Sequence, residues 1–161
     1  MPVYDTDLWQ HFKTGILSMN SRLKIFNSVI DGLIYIQKSG LKHLDIKPSN
    51  VLLNLNDLGH FNGTDCVITD FGIGGKTDKE NALAGTPGFA SPEQLIGQAT
   101  ELSDNYSMGR LMIMLFAKWD TAWELKYKPC TEQDVNTLLL HSVIHNLYPI
   151  IRSLLQLNII Q

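Results

Sequence analysis

The sequence predicts a mainly α domain of α+β type, a helical bundle with one small β-hairpin, and three stretches carry that expectation. From about Ser18 to Lys38, apolar residues recur at Leu23, Phe26, Ile30, Leu33, Ile34 and Tyr35 or Ile36, the three-and-four spacing of a helix packed on one face. Tyr106 to Phe116 is too uniformly apolar for a surface helix, so it belongs at the centre of a core. Val51-Leu52-Leu53 and Cys66-Val67-Ile68 are short apolar runs separated by Asn, Asp and Gly, and should pair as a hairpin across a longish loop from Asn54 to Asp65.

The remaining elements follow from start and stop signals. Asp5-Thr6-Asp7 precedes Leu8 to Lys13 and then Gly15, a short helix with acid at its start and glycine at its end. Gly40 closes the long helix. Asp104 is placed either to cap the apolar segment that follows it or to accept amide hydrogens from the 43–50 loop. Thr131 with Asp134 resembles a capping box opening a helix to about His145, and Pro149 is a natural first-turn residue for a last helix through Leu157.

The 161 residues are one domain's worth, residues 1–161, long enough to bury roughly 70% of the surface the unfolded chain exposes. Charged residues are 18%, below the roughly 25% of ordinary domains, which leans towards a surface covered by a partner. Net charge is −3 and the basic residues are dispersed, so nucleic acid and anionic membrane are not expected partners. Cys66 and Cys130 lack metal-ligand or disulfide spacing, and the N-terminus lacks the pattern of a signal peptide, so an intracellular, cytoplasmic setting is expected.

The chemistry concentrates in His43-Leu44-Asp45-Ile46-Lys47-Pro48-Ser49-Asn50, which runs straight into the first hairpin strand. A hydroxyl nucleophile attacking a phosphate needs a carboxylate to accept its proton, a cation near the transferred group and an oxygen ligand for the charge-neutralising metal. Asp45, Lys47 and Asn50 can supply these in turn. Pro48 fixes its own backbone and pushes Lys47 towards an extended one, which stiffens the loop. Asp70-Phe71-Gly72 leaves the second hairpin strand with a carboxylate ahead of a glycine turn, a placement suited to magnesium held between phosphates. His141 and His145 stand four apart, yet no third ligand accompanies them, and His60, Asp57, Asp65 and Cys66 read as solvated.

Taken with their spacing, these motifs resemble the eukaryotic protein kinase family. The loop is similar to H-R-D-x-x-x-x-N in its serine/threonine form, Asp70-Phe71-Gly72 to D-F-G, Ser91-Pro92-Glu93 to A-P-E, and Asp104-Asn105-Tyr106-Ser107-Met108-Gly109 to D-x-W-S-x-G. The resemblance implies the C-terminal lobe of a kinase over nearly the whole length. It makes Asp45 the base, Lys47 the residue at the transferred phosphate, Asn50 and Asp70 the magnesium ligands, and Leu52 and Asp70 contacts to Mg-ATP. Thr86 takes the position that serine/threonine kinases use beside the base, and Thr77 becomes the candidate phosphosite. Leu44 replaces the usual arginine, which argues against control by an activation-segment phosphate.

No G-x-G-x-x-G, V-A-I-K lysine or partner glutamate is present, so the ATP-binding first lobe is expected to be absent. Loss of half an adenine pocket removes on the order of 100 Å² of apolar contact, about 2.5 kcal/mol, and each missing phosphate donor costs roughly 3 kcal/mol more. The expectation is therefore a non-catalytic, pseudokinase-type interaction subunit of a larger assembly, whose protein partner covers Leu52 and Phe71. The alternative is part of an active kinase whose first lobe comes from elsewhere. With its expected partner arginine missing, Glu93 is left to stand unpaired or to take Arg152.

Overall fold

A computed structural model describes residues 3–71, 74–76, 85–116 and 147–155. Strand β1 (Thr6–Asp7) leads directly into helix α1 (Leu8–Lys13), whose N-cap is Asp7, accepting the Gln10 amide at 2.9 Å. Helix α2 (Met19–Lys38) is capped by Ser18 and followed by Gly40 in the left-handed region. Strand β2 (Leu41–Lys42) pairs with β5 (Gly75–Lys76), and between β2 and the next strand runs the 43–50 loop, ending in a 3₁₀ turn at Pro48–Asn50. Strands β3 (Val51–Leu55) and β4 (Phe61–Ile68) form the expected hairpin, in register Val51 to Ile68, Leu52 to Val67 and Leu53 to Cys66. A 3₁₀ turn at Gln94–Ile96 precedes helix α3 (Ser103–Phe116), and helix α4 (Tyr148–Leu154) carries Pro149 in its first turn.

Helix α3 is the centre of the core, as its composition requires: every residue from Tyr106 to Phe116 is buried. Helix α2 packs against it and against β4, and α4 packs on its other side. Burying the apolar side chains of this helix removes the most surface from water, at about 25 cal/mol per Å². Arg22 of α2 ties the two helices, donating to the Leu17 and Leu115 carbonyls while its guanidinium lies 5.3 Å from the Phe12 ring. Among the described residues no helix is long and apolar enough to cross a membrane.

Three expectations are corrected. The buried face of α2 is Ile25, Phe26, Val29, Leu33 and Ile36, whereas Leu23, Ile34 and Tyr35 are exposed. At about 100° per residue these three lie well round the helix from that face. The loop between the hairpin strands is far shorter than Asn54 to Asp65: β3 runs to Leu55, β4 begins at Phe61, and Asn56 organises the turn by accepting the Leu58 and His60 amides through its side chain. Strand β1 adds a third strand by pairing with Leu52 and Leu53. It carries no two-residue periodic signal, being only two residues long. The last described helix ends at Leu154, short of Leu157, and the Thr131–His145 helix with its two histidines lies outside the described residues, as do Thr77 and Cys130.

At Gly109, α3 lies close against the end of α4. A Cβ there would stand 2.9 Å from Leu155 Cδ2 and 3.1 Å from Leu154 Cβ. Gly109→Val should therefore lose about 1–3 kcal/mol to overpacking, more than the few tenths that a helix gains on replacing glycine with valine. Chemical denaturation measures the difference, and unchanged stability would contradict this packing.

Candidate active site

The 43–50 loop is held from outside itself. Asp104, in the first turn of α3, is 1% exposed and accepts the backbone amides of His43 and Leu44, both at 2.7 Å. It thus anchors the loop instead of capping its own helix. Those two charge-assisted bonds, at roughly 1.5–3 kcal/mol each, outweigh the left-handed backbone of Leu44 (φ 66°), which costs about 1–2 kcal/mol in a residue with a Cβ. The Leu44 side chain is buried where the family has arginine, and its carbonyl accepts Gln94 Nε2 at 2.6 Å.

His43 is fully buried and joins the loop to the end of β4. Its Nδ1 accepts the Asp45 amide at 3.2 Å and its Nε2 faces the Thr69 carbonyl at 3.0 Å. This pair of partners assigns the neutral ring with the proton on Nε2. The Phe71 ring tilts against it with centroids 4.6 Å apart.

Three side chains then converge on one carboxylate. Asp45 Oδ2 accepts Lys47 Nζ at 2.7 Å and Asn50 Nδ2 at 3.1 Å, and Oδ1 accepts the Thr86 hydroxyl at 2.7 Å. Lys47 Nζ also donates to Thr86 Oγ1 at 2.8 Å, which closes a ring of Asp45, Lys47 and Thr86. A hydroxyl hydrogen-bonded to a buried carboxylate, with an ammonium beside it, is the ground-state arrangement for proton removal from an alcohol. Thr86 shows that a hydroxyl fits there. A cavity of about 210 Å³ opens next to this ring, lined by Trp9, Lys47, Pro48, Ser49, Thr86 and Phe89.

The expected metal ligands, Asn50 and Asp70, bring one amide oxygen and one carboxylate. Asn50 Nδ2 donates to the Asp45 backbone carbonyl at 2.9 Å as well as to its carboxylate, so the amide nitrogen is committed and the amide oxygen points the other way. Asp70 is exposed, with a left-handed backbone (φ 68°). Among the described residues no group of three or more His, Cys, Asp or Glu is built to hold a metal. A cation here would depend on phosphate oxygens to complete its shell, which is magnesium's usual habit.

Leu52 and Val67 are cross-strand partners on the face of the hairpin opposite the buried Val51 and Leu53. Leu52 is half-buried, Val67 is 37% exposed and Phe71 is 45% exposed. Sequence reasoning missed Gln94, fifty positions from Leu44, and gave Trp9 and Phe89 no part in the site. The one partner it considered for Glu93 was Arg152, whereas Glu93 accepts the Ser103 hydroxyl at 2.8 Å.

Burial pushes the Asp104 carboxyl above its ordinary range, against the opposing pull of the His43 and Leu44 amides, of the His43 ring and of the Lys42 ammonium. A carboxyl raised on folding favours the folded state most at low pH, and that contribution falls away as pH rises from its unfolded value through its folded one. Asp104→Asn removes this slope and turns an NH₂ towards one of the two amides, at about 1–3 kcal/mol. The wild-type advantage in unfolding free energy should thus be larger at pH 4 than at pH 7, and the reverse order would contradict the assignment.

Residues 2–156 match the family model described as the protein kinase domain. The chain is 31% identical over 154 residues to a probable LRR receptor-like serine/threonine-protein kinase of Arabidopsis thaliana, covering 87% of this chain and 17% of that protein. It is 37% identical over 118 residues to a cysteine-rich receptor-like protein kinase of the same plant (68% of this chain, 18% of the relative). With eukaryotic translation initiation factor 2-alpha kinase 1 of Mus musculus it shares 33% over 117 residues (63% and 18%). The chain spans less than a fifth of the length of each of these relatives. The chain belongs to the eukaryotic serine/threonine protein kinase family.

Proposed function

We propose that this chain supplies the acceptor side of a serine/threonine phosphotransfer site that uses Mg-ATP, with the nucleotide side completed by a further protein surface lying over Leu52, Val67 and Phe71. The observation that carries the proposal is the convergence of Lys47, Asn50 and Thr86 on the Asp45 carboxylate. A degenerate site would have no reason to hold a 7%-exposed carboxylate with three donors from two segments some forty residues apart.

In this reading a substrate serine or threonine hydroxyl takes the place on Asp45 Oδ1 that the Thr86 hydroxyl reaches, and Asp45 accepts its proton as the oxygen attacks. Lys47 places its ammonium beside the same oxygen, where it offsets negative charge on the transferred group. Asn50 and Asp70 would hold magnesium, which when bound to ATP neutralises phosphate charge. The cavity at Trp9, Ser49 and Phe89 receives chain flanking the acceptor residue. We place the activity in a reducing, intracellular setting from the cysteine spacing.

The non-catalytic reading, a pseudokinase-type interaction subunit, is favoured by one observation: the apolar outer face of the hairpin with Phe71, a surface of the kind that marks a protein partner. A transfer assay with Mg-ATP and a serine-bearing protein separates the two. Transfer that falls by roughly 10²–10⁴ in Asp45→Asn supports the catalytic proposal, and transfer indifferent to that change contradicts it. The companion measurement is a thermal shift: Mg-ATP should raise the melting temperature of the chain, Asp70→Asn should abolish the rise, and no shift together with no transfer leaves the interaction subunit.

A further inference from the structure

Lysine is almost never fully buried unless it is paired, yet Lys42, at the end of β2, is 4% exposed. Among the described residues its ammonium makes one hydrogen bond, 3.3 Å to the Ala99 carbonyl. A carbonyl carries no net charge, so this contact does not neutralise the ammonium. Among the described residues the carboxyl on the adjoining segment is Asp104, although the two form no ion pair within 4 Å. Lys42 directly precedes His43, and the peptide that joins them presents the N–H that Asp104 accepts at 2.7 Å. Ala99 in turn lies five positions before Asp104, in the segment that enters α3 through the Thr100 amide on the Ser103 hydroxyl at 3.0 Å. The ammonium is therefore tethered to the same lead-in that positions the carboxylate.

We infer that Lys42 is a positioning residue, whose buried ammonium, tethered to the lead-in of α3, helps hold the Asp104 carboxyl against both amides of the 43–44 segment, and with them Asp45, in place. Among the described residues the titratable and charged groups acting on Asp104 are His43 and Lys42. His43 is neutral in the tautomer that its two partners assign, which leaves Lys42 as the standing positive charge. Burial acts on the carboxyl in the opposite direction, so without Lys42 its neutral form is favoured further. A neutral carboxyl loses acceptor capacity just where two backbone donors need it. The effect of Lys42 on turnover rests on the phosphotransfer reading, whereas its effect on the fold does not.

The test is thermal unfolding across pH 4–8 of the wild type, Lys42→Met, Asp104→Asn and the double variant. Methionine keeps the apolar stem and removes the charge. Lys42→Met should melt lower by roughly 2–4 °C at pH 8, and the deficit should shrink towards pH 4 as Asp104 protonates. In the Asp104→Asn background the same change should have an effect that does not vary with pH. A deficit equal at every pH in both backgrounds would overturn the inference and leave only packing or the Ala99 bond. Lys42→Arg, which keeps the charge, should restore the wild-type profile, and an arginine variant that behaves like methionine would also overturn it. If Lys42→Met fails to fold, folding of the double variant supports the inference and failure of both counts against it. Where transfer is measurable, Lys42→Met should lower kcat and leave KM for the acceptor unchanged. Absence of transfer in the wild type would sink the phosphotransfer reading while the pH cycle still decides the role of Lys42.

Discussion

The Asp104 carboxylate, accepting the His43 and Leu44 amides from sixty residues away, is the constraint on which the rest of the site depends. Without it Leu44 keeps only the Gln94 bond to offset a left-handed backbone, and the turn that aims Asp45 would relax. The two bonds connect the most deeply buried helix to the loop that carries the chemistry, so the rigidity of the core becomes the rigidity of the site. Gln94 on the Leu44 carbonyl and Thr69 opposite His43 complete the hold from two other directions.

The site divides into two sides with different character. On the acceptor side, Asp45, Lys47 and Thr86 are mutually satisfied and only partly open to water, which suits proton removal from a hydroxyl. On the other side, Asp70 is exposed and the Leu52, Val67 and Phe71 surfaces are apolar and incompletely covered. Phe71 touches the His43 ring, whose Nδ1 accepts the Asp45 amide. Occupancy of the outer face and the geometry of the base are joined by two contacts. Such a link offers a physical route by which a covering protein affects the site.

Much of this was legible in the sequence because the chemistry is local. Asp45, Lys47 and Asn50 fall within six residues, and the proline between them announces a stiff loop, so their convergence needs little help from tertiary structure. The α3 core helix was legible for the same reason, since eleven consecutive buried positions leave no phase to misjudge. The α2 face was misjudged because its apolar residues outnumber its buried ones, and only packing against β4 and α3 selects the phase. The hairpin loop was overestimated because β4 opens Phe61-Asn62-Gly63-Thr64-Asp65, a run that reads as a turn until β3 supplies its hydrogen bonds. Gln94, the β1 pairing and the burial of Lys42 leave no local trace, being products of contacts between segments far apart in the chain.

Native-state hydrogen exchange at the His43 and Leu44 amides tests the central anchoring most directly. If the Asp104 carboxylate holds the loop as described, both amides should exchange only through global unfolding, with the protection of the α3 core, and should lose it in Asp104→Ala while α3 itself stays protected. Exchange of these two amides as fast as that of the exposed Asp57 and Leu58 turn in the wild-type chain would contradict it.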